Sequence, residues 1–227
     1  MADSKEAPFQ QDIINAMLPS GWLTGTAAGY HRQSALYTED LLGYIQDAWP
    51  ERWEKFCKSN PQAPETVLVQ KVVRELEKAG TLEVLRHGLK VPGVKFELCS
   101  FKPDHGMNPE SLTRYRANRL RVVPEVSYSP HARGAGGQSY NPRLDLVLFV
   151  NGIPTATLEL KSEFKQSVEN AKRQYLYDRP VKDPITRKPE PLLTFKRGAL
   201  VHFAVSQDQV AMTTKLAGKD TYFLPFN

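Results

Sequence analysis

The chain has 227 residues, 41% of them hydrophobic, which is enough for one large domain with a real core and too many for wholesale disorder. No apolar run approaches the ~20 residues that span a bilayer, so a membrane-spanning protein is not expected. The N-terminus MADSKEAPFQ has no secretory apolar stretch, and Cys57 and Cys99 fit no zinc or redox spacing. A cytoplasmic protein with two buried, reduced thiols is the expectation.

Net charge is +5 and the pI is about 9.1. That permits a polyanionic partner without requiring one. The charge is clustered. Arg114, Arg116, Arg119 and Arg121 crowd into RYRANRLR, and Lys182, Arg187, Lys188, Lys196 and Arg197 form a second basic region. Either can hold phosphates, and either can be an ordinary solvated face.

In chain order, Phe9, Ile13, Ile14, Met17 and Leu18 have helical spacing, with Gly21 as a stop. Residues 38–57 read as helix broken at Pro50, where Trp53 and Phe56 are packing residues. Residues 65–88 give two helices divided at Gly80, the second N-capped by Thr81 with Glu83 in its first turn. Residues 91–101 alternate with period two and predict a strand. A short helix over 111–118 precedes a strand over 119–128, in which Pro124 calls for an edge or a bulge. SPHARGAGGQSYNP at 129–142 is a loop.

RLDLVLFV, Asn151-Gly152 and IPTATLELK then form the strongest hairpin signal in the chain. A helix follows over 167–178, with Ser167 as N-cap, then a charged, Pro-rich loop over 179–197 and two strands, ALVHFAV and QVAMTT. Helices first, then strands with helices between them, predict a mixed α/β fold: a central sheet with helices on its faces.

The hairpin carries the chemistry. Asp145 interrupts an otherwise apolar strand, and Glu159 and Lys161 share a face of the returning one. Isolated charges on buried strands are costly and need partners or a metal. A plain two-residue turn would pair Val150 with Ile153 and leave Glu159 on the opposite side from Asp145. A three-residue loop ending at Gly152 would pair Phe149 with Ile153 and bring Asp145, Glu159 and Lys161 together. The site therefore predicts a bulged or odd-length turn. Two carboxylates with the Leu160 carbonyl make a hard-oxygen set of the kind Mg²⁺ prefers, and an ammonium beside them can orient an attacking water. Spacing alone leaves a second reading open, a buried Asp–Lys ion pair closing a hairpin.

NPRLDLVLFVNGIPTATLELK resembles the nuclease region of restriction (R) subunits of type I restriction-modification enzymes, which carry a nuclease of the PD-(D/E)xK superfamily ahead of an ATP-driven translocase. The likeness extends over nearly the whole chain. It includes FQQDIINAMLPSGW, LLGYIQDAWPERWEKF, FKPDHGMNPE, NRLRVVPEVSYS, SVENAKRQYLYDR, ALVHFAVSQDQVAMTTKLAG and FLPFN. It implies a PD-(D/E)xK nuclease-like fold and one endonuclease domain over 1–227, the N-terminal fragment of a larger subunit. The implied activity is Mg²⁺-dependent cleavage of double-stranded DNA with little sequence specificity.

By the same resemblance Asp145 and Glu159 bind metal and Lys161 is the catalytic lysine. Gln174 supports the site or contacts DNA, or else is a solvated helix residue, while Tyr175 and Tyr177 pack. Arg119, Arg121, Lys196 and Arg197 are the candidates for DNA-backbone contact. The implied partners are DNA and, through the full-length subunit, the methylation and specificity subunits. ATP belongs to the motor alone, since no GxxxxGK[ST] loop occurs here.

Two departures stand out. Leu144 replaces the proline before Asp145, and Gln10 stands where relatives have a glutamate, leaving Asp12 as a possible substitute. The alternative function is a non-catalytic module coupling the motor to the methyltransferase core. The five histidines do not cluster, and His202 on an apolar strand reads as a core residue.

Overall fold

The computed structural model describes residues 6–134, 139–162 and 168–227. The Ser167 cap lies outside them. In chain order the elements are α1 (Glu6–Met17), β1 (Trp22–Thr24), β2 (Tyr30–His31), β3 (Leu36–Tyr37), α2 (Thr38–Ala48), α3 (Pro50–Ser59), α4 (Pro64–Ala79), α5 (Thr81–His87), β4 (Leu89–Val91), β5 (Val94–Phe96), α6 (Pro109–Arg116), β6 (Leu120–Ser127), β7 (Arg143–Val150), β8 (Ile153–Lys161), α7 (Val168–Arg173) with a π-helical turn (Gln174–Asp178), β9 (Val201–Ser206), β10 (Val210–Thr213) and β11 (Leu224–Pro225).

One seven-stranded mixed sheet organises the fold, in the order β1-β6-β7-β8-β9-β10-β11. The β6–β7, β7–β8, β9–β10 and β10–β11 pairs are antiparallel, while β1–β6 and β8–β9 are parallel. The predicted mixed α/β fold with a helix-flanked sheet is the fold found. β8 lies in the middle of the sheet, which explains its nearly continuous burial from Ile153 to Lys161.

On one face, Ile14 of α1 packs with Phe9, Ile13 and Met17 against Val122, Leu146, Leu158 and Leu160. On the other, Tyr175, Leu192 and Leu193 cover Val123, Val147 and Phe149. A third cluster, drawn from α2–α5 and the β4–β5 hairpin, closes over Ile153 at the hairpin end of the sheet. Trp53 and Phe56 stack within it as packing residues.

Several local expectations needed correction. Residues 91–101 are not one strand: Pro92-Gly93 folds the chain into the β4–β5 hairpin, because a Pro-Gly pair turns more readily than it extends. Thr81 does not cap α5. Its hydroxyl donates to the carbonyls of Arg197 and Gly198, and Gly80 occupies the cap position. Cys57 and Cys99 are free but only half-buried. Tyr177 is exposed rather than packed, because two positions along a helix turn it to the side opposite the face that Tyr175 buries.

Pro124 behaves as predicted in kind. β1 accompanies β6 only from Leu120 to Val122, so one side of β6 is unpaired beyond that point, and Glu125 next door takes a positive φ of 57°.

Candidate active site at the open end of the central hairpin

The turn itself is plain, contrary to the odd-length loop predicted. Val150 pairs with Ile153, and Asn151 and Gly152 both have positive φ, 49° and 75°. These are the values a tight two-residue hairpin turn requires, which Asn-Gly tolerates better than other pairs. The irregularity lies one step further on. Phe149 pairs with Pro154 and Leu148 with Ala156, so Thr155 is an extra residue in β8. Pro154 has no N–H to give the ladder, and a bulge beside it accommodates that lack. The Thr155 hydroxyl donates to the Leu148 carbonyl, and its own carbonyl accepts from the Leu200 amide.

The bulge moves the register by one residue. Leu146 then faces Leu158 and Val147 faces Thr157, which puts Asp145 on the side of Glu159 and Lys161. The face-sharing on which the site depends is thus met, by a different device from the one expected.

Cross-strand pairing of β7 with β8 ends at Leu146–Leu158, and there the strands part. The Leu160 amide would otherwise be stranded. Asp145 Oδ2 accepts it at 2.7 Å. A strand residue points its N–H and C=O to the same side, so the Leu160 carbonyl is directed towards Asp145 as well. Gln10 Nε2 donates to the Asp145 carbonyl at 2.8 Å and to Glu125 Oε1 at 3.1 Å. Gln10, where the resemblance implies a glutamate, therefore braces the aspartate strand.

A carboxylate nevertheless reaches the site from α1. Glu6, one helical turn before Gln10, accepts from Lys161 Nζ at 2.7 Å. Glu6 went unrecognised in the sequence. Its signal was the four-residue spacing to Gln10, which places both on one helix face. Asp12 is exposed, and two positions turn it about 200° from Gln10 round the helix. It does not replace the missing glutamate.

Glu159 is fully buried. Arg179, which follows the π-helical turn, grips it with two bonds, Nε to Oε1 at 2.6 Å and Nη2 to Oε2 at 3.1 Å. Burial, reinforced by the neighbouring Asp145 charge, pushes the Glu159 carboxyl up to about 8 in spite of the guanidinium. Burial likewise raises Asp145, opposed chiefly by the Leu160 amide and Lys161. Arg179 was another residue sequence reasoning missed. In that stretch the resemblance had singled out Gln174, whose Oε1 is buried without a hydrogen-bond partner among the described residues, five positions earlier.

Beneath the carboxylates lies a neutral polar cluster. The Thr157 hydroxyl hydrogen-bonds both Tyr175 Oη, at 2.8 Å, and His202 Nδ1, at 2.7 Å. His202 is a core residue, as expected, and burial drops its imidazole to about 3. Below the ordinary value of 6.5 the unfolded chain takes up a proton that the folded protein refuses. This contribution to stability is therefore whole above pH 6.5 and is lost as pH falls towards 3. His202→Gln should flatten the acid limb of a melting-temperature profile between pH 6.5 and 4. Parallel profiles for variant and wild type would show that another group sets that limb.

The basic residues proposed for DNA are spread out. Arg121 pairs with Phe149, about 13 Å along the strand from Asp145. It is held by Asp40 through two bonds and lies over the Tyr37 ring. Arg119 bonds Asp47 at 2.9 Å. Arg197 is buried and donates to the Ser34 carbonyl. Lys196 is exposed beside Phe195. The fold does not gather these four around Asp145.

Among the described residues no three His, Cys, Asp or Glu side chains form a ready metal cage. The hard-oxygen donors at the open end of the hairpin are the Asp145 and Glu159 carboxylates and the Leu160 carbonyl, with Glu6 behind Lys161. A seven-stranded mixed sheet flanked by helices makes this a mixed α/β fold of the nuclease-like kind. A family model for the type I restriction enzyme R protein N terminus matches residues 27–221, and the chain belongs to that family. No curated protein matches it. Among the described residues no helix is long and apolar enough to cross a membrane.

Proposed function

We propose that the chain is the Mg²⁺-dependent endonuclease domain of a type I restriction enzyme R subunit, cutting double-stranded DNA with little sequence preference of its own. The observation that carries this reading is the convergence of Asp145, Glu159, Lys161 and the Leu160 backbone at the parted ends of β7 and β8. Asp145, Glu159 and the Leu160 carbonyl would hold the cation, as hard oxygen donors suited to Mg²⁺. When bound, Mg²⁺ supplies a more acidic water and a polarised phosphate.

The protein's own groups do the rest. The Leu160 amide fixes Asp145. Lys161 orients the attacking water or offsets charge on the phosphate, with Glu6 keeping its ammonium in place. Gln174, with its unpartnered buried oxygen, is an accessory group at the head of the turn that Arg179 follows. For the DNA backbone, Lys196 is the one of the four candidates that stands exposed, while Arg119, Arg121 and Arg197 are engaged within the fold. Site recognition would belong to the specificity subunit, met together with the methylation subunit through the full-length R subunit, and ATP would serve only its motor.

A second reading is a non-catalytic module that couples the motor to the methyltransferase core. It draws on the absence of a ready metal cage among the described residues and on the hold of Arg179 on Glu159. Lys161→Ala in the assembled restriction complex separates the two. Plasmid cleavage in Mg²⁺ should vanish while ATP hydrolysis persists. Normal cutting by the variant would discard the site and favour the coupling role.

A further inference from the structure

Arg179 is bound to the one carboxylate of the site that is wholly removed from water. Its fork takes both Glu159 oxygens, and among the described residues its remaining nitrogen reaches the Asp178 carbonyl, at 3.3 Å. A fully buried carboxylate is strongly disfavoured unless a counter-ion or a proton neutralises it, and Arg179 is the counter-ion seated on Glu159. With both oxygens engaged and the side chain buried, a metal entering the inner shell of Glu159 competes with the guanidinium for their lone pairs.

The position of Arg179 in the chain suits an exchange. It follows directly on a five-residue π-helical turn, a rare conformation that concentrates at functional sites. That turn is anchored at its first half by Tyr175, locked against Thr157 and beside His202. Its second half carries exposed Tyr177 and Asp178, so the end that bears Arg179 is the less confined one. Gln174 presents a buried oxygen with no hydrogen-bond partner on the same turn, a group left unsatisfied in the metal-free arrangement.

We infer that Arg179 is a built-in placeholder for the divalent cation: its bidentate contact holds Glu159 in position, and the cation binds by exchange with the guanidinium. The inference rests on the metal-site reading above, and it assigns Arg179 a positioning role.

Calorimetric titration of Mn²⁺ into the metal-free 227-residue chain tests it, with Arg179→Gln, Arg179→Lys and Asp145→Asn beside wild type. Arg179→Gln should bind Mn²⁺ about tenfold more tightly, because a charge-assisted bond no longer has to be broken. Arg179→Lys, which keeps the charge and loses the fork, should fall between. It also supplies the comparison if the glutamine variant does not fold. Equal or weaker binding by the Arg179 variants, with binding lost in Asp145→Asn, would overturn the placeholder and leave the metal site standing. Failure of wild type and every Arg179 variant to bind Mn²⁺ would overturn the metal reading itself and the placeholder with it.

Discussion

Asp145→Asn should lower Mg²⁺-dependent DNA cleavage by the restriction complex about 10³-fold, the several kcal/mol that a bound metal supplies to the transition state. Asparagine is the informative replacement. Its amide oxygen can still accept the Leu160 N–H, which Asp145 Oδ2 now takes at 2.7 Å, so the buried backbone group stays satisfied. Charge is lost and geometry is kept. Alanine would confound the two by stranding that amide. Thermal melting of the asparagine variant should match wild type within a few degrees. Unchanged cleavage would mean that the Asp145 carboxylate takes no part in the reaction. Coincident loss of cleavage and folded structure would instead mark Asp145 as a bracket for the parted strands.

Gly152→Ala should cost the fold about 3–5 kcal/mol, read from urea unfolding, the sum of a left-handed backbone penalty and an overpacked contact. Gly152 has φ of 75°, and a Cβ there would lie 2.2 Å from the Tyr37 carbonyl oxygen and 2.8 Å from the Leu41 amide. The close approach is functional packing: Tyr37 N–H donates to the Gly152 carbonyl at 2.9 Å and docks the hairpin turn on the start of α2. Neighbouring Asn151 is also fully buried and positive in φ, with its side chain bonded to Leu98, Asn118 and Arg119. An alanine tolerated with less than 1 kcal/mol loss would show that this junction gives way easily.

The candidate site was legible to the extent that chemistry is local. Asp145, Glu159 and Lys161 stand out because charges interrupt apolar strands, and Asn-Gly between them announces a hairpin. Their sharing of a face was a correct demand met in an unforeseen place. A period-two pattern tells which side a residue faces only while the ladder is regular, and one inserted residue at Thr155 reverses it. Glu6 and Arg179 were out of reach for another reason. Their partners lie 155 and 20 positions away, and a charged residue in a polar stretch looks the same whether it is solvated or paired. The basic clusters show the same limit. RYRANRLR reads equally as a phosphate-holding strip or a solvated face, and the fold pairs Arg119 and Arg121 with Asp47 and Asp40 on α2.

The amino-acid pattern by itself determined the class of fold, the hairpin, most helix boundaries and the three residues of the proposed chemistry. Those follow from periodicity, turn chemistry and the cost of burying charge, which act over a few neighbouring residues. Tertiary structure alone decided the seven-strand order, the short strands β1, β2, β3 and β11, and the partners of each buried charge. Two- and three-residue strands carry no periodic signal, and the ion pairs join segments that only the packed sheet brings together.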